Sequence, residues 1–457
     1  MIQATEILSQ FVAGLTYDDL PADVVRLSKQ YIVDYYAACF AGMKINAPFN
    51  AAVEELLVEQ GGAEQASVLC SERKLPAREA AFLNAVYAHG ADMDDGNRKA
   101  MGHVAAHVMS AVFALAEMLG ASGKDVIVAI NAGYEVYNRV AASVQPQLAR
   151  RGFHSTGTAG AIACGAAAAK LLGLDEKGVY NALSMAAVQS SGLLVVLESG
   201  QATKPVNPAN AARVGILSAQ LAQKGVQAPR LPLESKKGWF HAMADTVDET
   251  AVTEGLGEVF TIAESYLKPY PSCRHTHCGI EAAIGIREQI TAQYGRVDAS
   301  TVDSVTVYIY SNAINIAGQI VYPQTDEDAK FSIHYALATA LLKGRYTLDD
   351  LSVDNLTDEV RCVIDKTQLV CDESMEDRKR GVRGARVVVT VKDGTQFSET
   401  VLIPKGDAAN PFSDEDLREK LCVCAEGVIS QAQQQRLLES VYGFEDVAVY
   451  RSINSFL

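Results

Sequence analysis

From the first residues to about residue 265, apolar positions recur at three- and four-residue intervals with few β-branched alternations, the period of helices that bury one stripe. Leu8, Phe11, Val12 and Leu15 form one such stripe. Others run through Val24 to Phe40, Ala80 to Ala88, Ala105 to Leu119, Val126 to Val144 and Ala209 to Gln223, separated by Gly, Pro or Asp breaks. The stretch STGTAGAIACGAAAAKLLGL (155–174) sets Gly157, Gly160 and Gly165 among alanines. Glycines weaken an isolated helix, whereas small residues let neighbouring backbones approach, so a central helix buried on all sides is expected here.

The pattern changes near YLKPYPSCRHTHC (266–278). Val302 to Tyr310 and Arg386 to Lys392 are β-branched runs, and the second continues through Asp393-Gly394 into Gln396 to Ile403, a hairpin signature. Helical periods at Gly279 to Tyr294 and Ala329 to Leu342 lie between them. After Pro411 the helical stripe returns with Leu417, Leu421, Leu437 and Leu438. The expected architecture is mainly α: a helical domain over 1–265, an inserted smaller α+β domain over 266–404, and a tail, 405–457, that rejoins the helices.

A chain of 457 residues exceeds the size at which one core stops growing, which agrees with more than one domain. The formal charge of −15 with scattered cations opposes binding to a polyphosphate backbone, so no nucleic-acid partner is expected. No apolar run reaches the roughly 18 residues of a membrane helix. The start, MIQATEILSQ, has no basic flank followed by an apolar stretch, and nine cysteines show no disulfide-framework spacing; a cytoplasmic protein is expected.

Chemistry concentrates in ADMDDGNRKAMGHVAAH (91–107). Asp92, Asp94 and Asp95 could hold a divalent cation, but no second acidic motif accompanies them. His103 and His107 have the four-residue spacing of paired zinc ligands, without the glutamate of a zinc-protease motif. In a third reading a carboxylate hydrogen-bonds an imidazole and sets its tautomer and basicity. The bland alternative is a satisfied core histidine beside solvated aspartates. In CRHTHC (273–278), Cys273, His275 and His277 would share one face if the chain were extended, as a soft metal site requires; Arg274 repels a cation, and Arg with His suits a carboxylate better. His154 stands just before an expected helix start, where backbone N–H groups favour anions. Lys204 lies in a Pro-rich loop ahead of another helix, from which a compact cation can point into a cleft.

These residues fall within blocks that resemble the MmgE/PrpD family over nearly the whole chain: HGADMDDG (89–96), GH…FALAE (102–117), GFHSTGTAGAIACGAAAAKLLGL (152–174), QSSGL (189–193), TKPVNPANAARVGILSAQLA (203–222), LKPYPSCRHTH (267–277) and DAKFSIHYALATALLKG (328–344). The resemblance implies a large helical domain built from both chain ends, a smaller α+β lid and a homodimer. It implies no metal or organic cofactor, and small di- or tricarboxylate substrates. By position, Asp92, His103, His154, Lys204 and His277 match residues that line the family's active site. Where many members have threonine after their DFDD, this chain has Gly96; NRKAMG then adds Arg98 and one extra residue before His103, and Val104-Ala105 replaces the usual Pro-Gly or Pro-Ser. An added Arg98 guanidinium could clamp a carboxylate bidentately, with Arg274 and His275 as further substrate-binding candidates.

The activities named for the family begin at a carbon beside a carboxylate. The first expectation is therefore cofactor-free lyase chemistry of the 2-methylcitrate dehydratase kind. Epimerisation of a dicarboxylate such as iminodisuccinate comes second, and decarboxylation of the cis-aconitate kind third. His103, oriented by Asp92, is the expected acid or base, and His154 or Lys204 supplies the complementary proton. A non-catalytic anion-binding relative and a metal-dependent helical enzyme are the rivals.

Overall fold

The computed structural model describes residues 2–198, 200–377, 380–450, 453, 456 and 457. The protein is mainly helical with a smaller α+β part. Its chain forms two compact units, residues 1–267 with 413–457, and residues 268–412.

The helical unit contains α1 (Ala4–Gly14), α2 (Ala22–Ile45), α3 (Ala47–Gln60), α4 (Ala77–Gly90), α5 (Ala105–Leu119), α6 (Gly123–Ala142), the one-turn α7 (Gln147–Arg150), α8 (Ser155–Leu171), α9 (Glu176–Gln189) and α10 (Val206–Gln223), then the short α11 (Trp239–Met243) and α12 (Glu249–Thr253). Their ends follow the local chemistry. Ser122 accepts the Asp125 N–H and opens α6 with a capping box, and Gly120 closes α5 in the left-handed conformation. Every residue of α8 from Ser155 to Ala169 is buried, and α5, α6, α9 and α10 surround it. The small residues do what the sequence suggests. A Cβ on Gly215 of α10 would lie 2.2 Å from the Cys164 Cβ of α8, so the two helices meet at backbone distance.

Two-residue strands β1 (Ala66–Ser67) and β2 (Lys74–Leu75) pair with each other, as do β3 (Gly96–Asn97) and β4 (Ser265–Tyr266). The second pairing carries the helical unit through Leu267, two residues beyond the expected boundary.

The α+β unit contains α13 (His277–Tyr294), β5 (Val302–Ile309), α14 (Ser311–Ala317), α15 (Asp326–Ala329), α16 (Ile333–Lys343), α17 (Asp358–Asp365), β6 (Thr367–Cys371), β7 (Glu376–Asp377), β8 (Val382–Arg383), β9 (Ala385–Val391) and β10 (Gln396–Val401). Four strands form a sheet in the order β10-β9-β5-β6. The β9–β10 hairpin is antiparallel, as Asp393-Gly394 suggests, and β9 also runs antiparallel to β5. β6 is parallel to β5 and absent from the sequence expectation. A parallel partner requires a crossover, here supplied by α14 to α17. One face of the sheet is covered by α13, against which α16 packs.

Residues 404–412 stay with this unit because Arg274 donates to the Lys405 carbonyl at 3.1 Å. The tail, α18 (Asp414–Ala425) and α19 (Gln431–Tyr442), returns to the helical unit against α2. Its buried Lys420 ammonium contacts the Asp34 carboxylate and donates to the Met93 carbonyl at 2.8 Å. Among the described residues no helix is long and apolar enough to cross a membrane.

Candidate active site

The segment joining α4 to α5 makes a sharp excursion. Asp92 and Met101 both have φ of 52°, a left-handed conformation that costs a non-glycine residue about 1–2 kcal/mol, so surrounding contacts must hold it. The Asp92 carboxylate pairs with the Lys204 ammonium. The Met101 carbonyl accepts from Ser155 Oγ at 2.9 Å, and the Met93 carbonyl accepts from Lys420. Gly102 is a forced choice: a Cβ there would lie 2.2 Å from the Tyr137 hydroxyl and 2.4 Å from Ser155 Oγ. That close approach lets the next residue, His103, donate its N–H to Thr156 Oγ1 at 3.1 Å.

The three aspartates have separate jobs. Asp95 caps α5, accepting the N–H groups of Val104 and Ala105 at 3.1 and 2.8 Å and the Tyr134 hydroxyl at 2.7 Å. Burial pushes its carboxyl up to about 7 despite those bonds. Asp92 faces Lys204. Asp94 lies between two imidazoles: His89 donates from Nδ1 to Oδ2 at 2.8 Å, and His103 Nδ1 is 3.2 Å from Oδ1. Burial alone would raise Asp94, but His103 and His89 outweigh it and hold the carboxyl well below its usual range.

His103 Nε2 lies 3.6 Å from Asp92 Oδ1, the oxygen that contacts Lys204. The His89 ring meets the His103 ring edge-on at 4.6 Å and lies 6.1 Å from that of His154. His154 precedes the first turn of α8, and its Nδ1 faces the Asn207 amide nitrogen at 3.0 Å. Burial, reinforced by the Lys204 charge, keeps His154 well below the usual histidine range; burial likewise lowers His89 to about 4. Asp92, His103, His154 and Lys204 are each less than a tenth exposed. The result is an ionised carboxylate–ammonium pair flanked by imidazoles, two of them held neutral at pH 7, in a nearly dry interior where hydrogen bonds and charges act strongly.

His89, Asp92, Asp94 and His103 present possible ligand atoms within 4.8 Å of one another, a donor set zinc accepts. The Lys204 ammonium already places a positive charge on Asp92, so a cation would have to compete with it. The spacing of His103 and His107 does not make a helical ligand pair, because α5 starts only at Ala105. His107 instead lies against Gly160 and the Tyr137 ring, fully buried and lowered by that burial to about 3.

In the α+β unit, residues 274–276 form a tight helical turn that leads into α13 at His277. The extended face expected for Cys273, His275 and His277 is therefore not formed, since helical residues two apart do not share a side. His275 hydrogen-bonds the Tyr310 hydroxyl. Fully buried His277 donates from Nε2 to the Ser272 carbonyl at 3.1 Å, while its Nδ1 accepts from Arg274 at 3.0 Å. Arg274 also lies 3.7 Å from Asp407. Asp92, His103, His154 and Lys204 thus come together in the helical unit; Arg274, His275 and His277 form a cluster within the α+β unit; and Arg98 is half-buried on the loop between β3 and Lys99. The sequence reading missed His89 and Asn207 and weighed Asp94 only as a metal ligand. The one available signal was a histidine three residues before Asp92.

Fold and site together define a mainly helical protein with a buried cluster of carboxylates, imidazoles and an ammonium. Residues 6–250 match the MmgE/PrpD N-terminal domain and residues 270–445 the MmgE/PrpD C-terminal domain; the chain belongs to the MmgE/PrpD family. It is 28% identical over 463 residues to the cis-aconitate decarboxylase-like protein oryM of Aspergillus oryzae, spanning 97% of this chain and 95% of that protein. Identity to the cis-aconitate decarboxylase of Homo sapiens is also 28%, over 97% of this chain and 92% of the human protein. Similarity to the 2-methylcitrate dehydratase of Escherichia coli is 24% and spans 61% of this chain and 59% of that enzyme.

Proposed function

We propose that the protein is a cofactor-independent lyase that moves a proton beside a carboxylate of a small di- or tricarboxylate. The observation that carries this reading is the buried Asp92–Lys204 pair with His103 and a neutral His154 around it. Removing a proton from a carbon beside a carboxylate, or losing carbon dioxide there, leaves an electron pair on that carbon, and a fixed ammonium in a dry site offsets that charge at no reorganisation cost. His103 removes or returns the proton, and His154 or Lys204 serves the complementary step. The role of His277 rests on the sequence resemblance, and those of Arg98, Arg274 and His275 on their side-chain chemistry in the sequence.

The decarboxylases share similarity over nearly their whole length and the dehydratases over little more than half. That difference supports cis-aconitate as the first substrate to offer and 2-methylcitrate as the second. Epimerisation is the second reading, because two imidazoles flank one ion pair and inversion at carbon needs only two proton-transfer groups. Assembly as a homodimer in the cytoplasm belongs to the same proposal, and light scattering of the purified protein tests the dimer. For the chemistry, the protein is incubated in deuterium oxide with cis-aconitate, citrate, 2-methylcitrate and amino- or iminodicarboxylates, and products are followed by proton NMR. Loss of carbon dioxide with deuterium taken up by the product, or loss of water with deuterium exchanged into the remaining acid, is expected. Neither turnover nor exchange on any of these acids would remove the reading.

A further inference from the structure

We infer that Asp94 and His89 are positioning residues that fix His103 in the tautomer whose Nε2 carries the free lone pair. The inference rests on the reading above that His103 moves the proton, and adds which nitrogen does so and what holds it.

Two carboxylates compete for the His103 ring. Asp92 Oδ1 is 3.6 Å from Nε2, and Asp94 Oδ1 is 3.2 Å from Nδ1. An ionised carboxylate only accepts, so the nitrogen it engages more strongly keeps the proton. Asp94 is closer, and the two carboxylates are differently committed. The Asp92 oxygen nearest His103 is the one that contacts the Lys204 ammonium. Each oxygen of Asp94 instead faces an imidazole Nδ1, and the group is fully buried. The proton of His103 therefore belongs on Nδ1, and its Nε2 lone pair faces the Asp92–Lys204 pair, where a substrate proton would be taken up.

His89 supplies the rigidity. Standing at the last turn of α4, it donates Nδ1–H to Asp94 Oδ2 and fixes the carboxylate plane with Oδ1 turned to His103. Its ring also packs against that of His103 in a T-shaped contact, centroids 4.6 Å apart, and obstructs a flip. A carboxylate held between two imidazoles, one buried and one facing the charged pair, is the arrangement that orients a base through the nitrogen it does not use.

The test uses 15N-histidine NMR of the whole protein without substrate, with His103→Gln assigning the His103 signals. The parent should show His103 protonated at Nδ1. In Asp94→Asn the amide offers one accepting oxygen where the carboxylate offered two, so His103 should move toward the Nε2–H tautomer. In turnover assays kcat should then fall about 10²- to 10⁴-fold, with KM changed less than about threefold. His89→Ala should lower kcat by about tenfold, and His89→Gln, which keeps an N–H donor, should recover part of that loss. An Nε2–H tautomer in the parent, or an unchanged tautomer in Asp94→Asn, overturns the inference; the parent spectrum decides even if a variant does not fold. The spectra need no substrate, so an inactive protein with the expected tautomer would sink the lyase reading and leave this one standing.

Discussion

Replacing Lys204 by methionine keeps the length of the side chain and removes its charge. Asp92, only 3% exposed, would then hold its carboxylate without the ammonium it contacts. The cost has a ceiling, because the group can always take up a proton instead. Raising an aspartate from its ordinary value near 3.9 to pH 7 costs about 4 kcal/mol, which agrees with the roughly 3–5 kcal/mol lost when one partner of a buried ion pair is removed. A loss of about 3–4 kcal/mol at pH 7 is expected. The sign of its pH dependence follows. In the variant, folded Asp92 keeps a proton that the unfolded chain releases above about pH 3.9, so the deficit grows as pH rises. It should shrink about tenfold in the folding equilibrium for each pH unit lowered from 7 toward 5. The double change Asp92→Asn with Lys204→Met removes both charges and should recover most of the loss. Urea unfolding read by Trp239 suits the measurement: it is the single tryptophan of the sequence and is buried in the helical unit. A deficit that is the same at pH 5 and 7, or a double variant no more stable than Lys204→Met, would refute the reasoning.

Other outcomes follow from the same geometry. His103→Gln should lower kcat by about 10²- to 10⁴-fold with little change in KM; a rise in KM alone would reduce His103 to a binding group. Dialysis against EDTA should leave turnover unchanged, and activity lost to the chelator and restored by zinc would place an ion among His89, Asp92, Asp94 and His103. Burial lowers His89 to about 4 and His107 to about 3, below the ordinary histidine value near 6.5. Their contribution is complete above pH 6.5 and is lost as pH falls toward 4, about tenfold in the folding equilibrium per histidine and pH unit. His154, His275 and His334 act in the same direction and Asp95, raised to about 7, in the opposite one, leaving a net loss of stability as pH falls; urea midpoints equal at pH 5 and 6.5 would contradict it. Gly102→Ala forces a Cβ into the Tyr137 and Ser155 hydroxyls and should cost about 1–3 kcal/mol. Turnover should fall with it as His103 leaves Thr156, whereas full activity would show that the loop tolerates displacement.

The long helices were legible because burial repeats with the helical period over many residues, and the small-residue run at 155–174 announced its own surroundings. Asp393-Gly394 announced the hairpin for a local reason of the same kind. β6 escaped notice: five residues, Thr367–Cys371, none fully buried, carry no alternation, and their pairing with β5 is decided across some sixty residues of crossover. CRHTHC misled because an extended reading and a tight helical turn place the same residues on different sides, and the turn is settled by Ser272, Lys405 and Tyr310 rather than by neighbours in sequence. Asp92, His103, His154 and Lys204 were readable as candidates, the last three beside helix starts. His89 was not, since its significance comes only from the bend at Asp92 that turns Asp94 back beneath it.

The bond from Lys420 to the Met93 carbonyl joins residues 327 positions apart, and it has a consequence for birth of the enzyme on the ribosome. At roughly 5–20 residues per second, on the order of 20–60 s separates synthesis of the bend from synthesis of the lysine that secures it. During that interval an entire α+β unit is made and can fold, while the earlier helices wait with an unsecured acidic bend. The bend should therefore reach its final geometry late, only after the tail has been made.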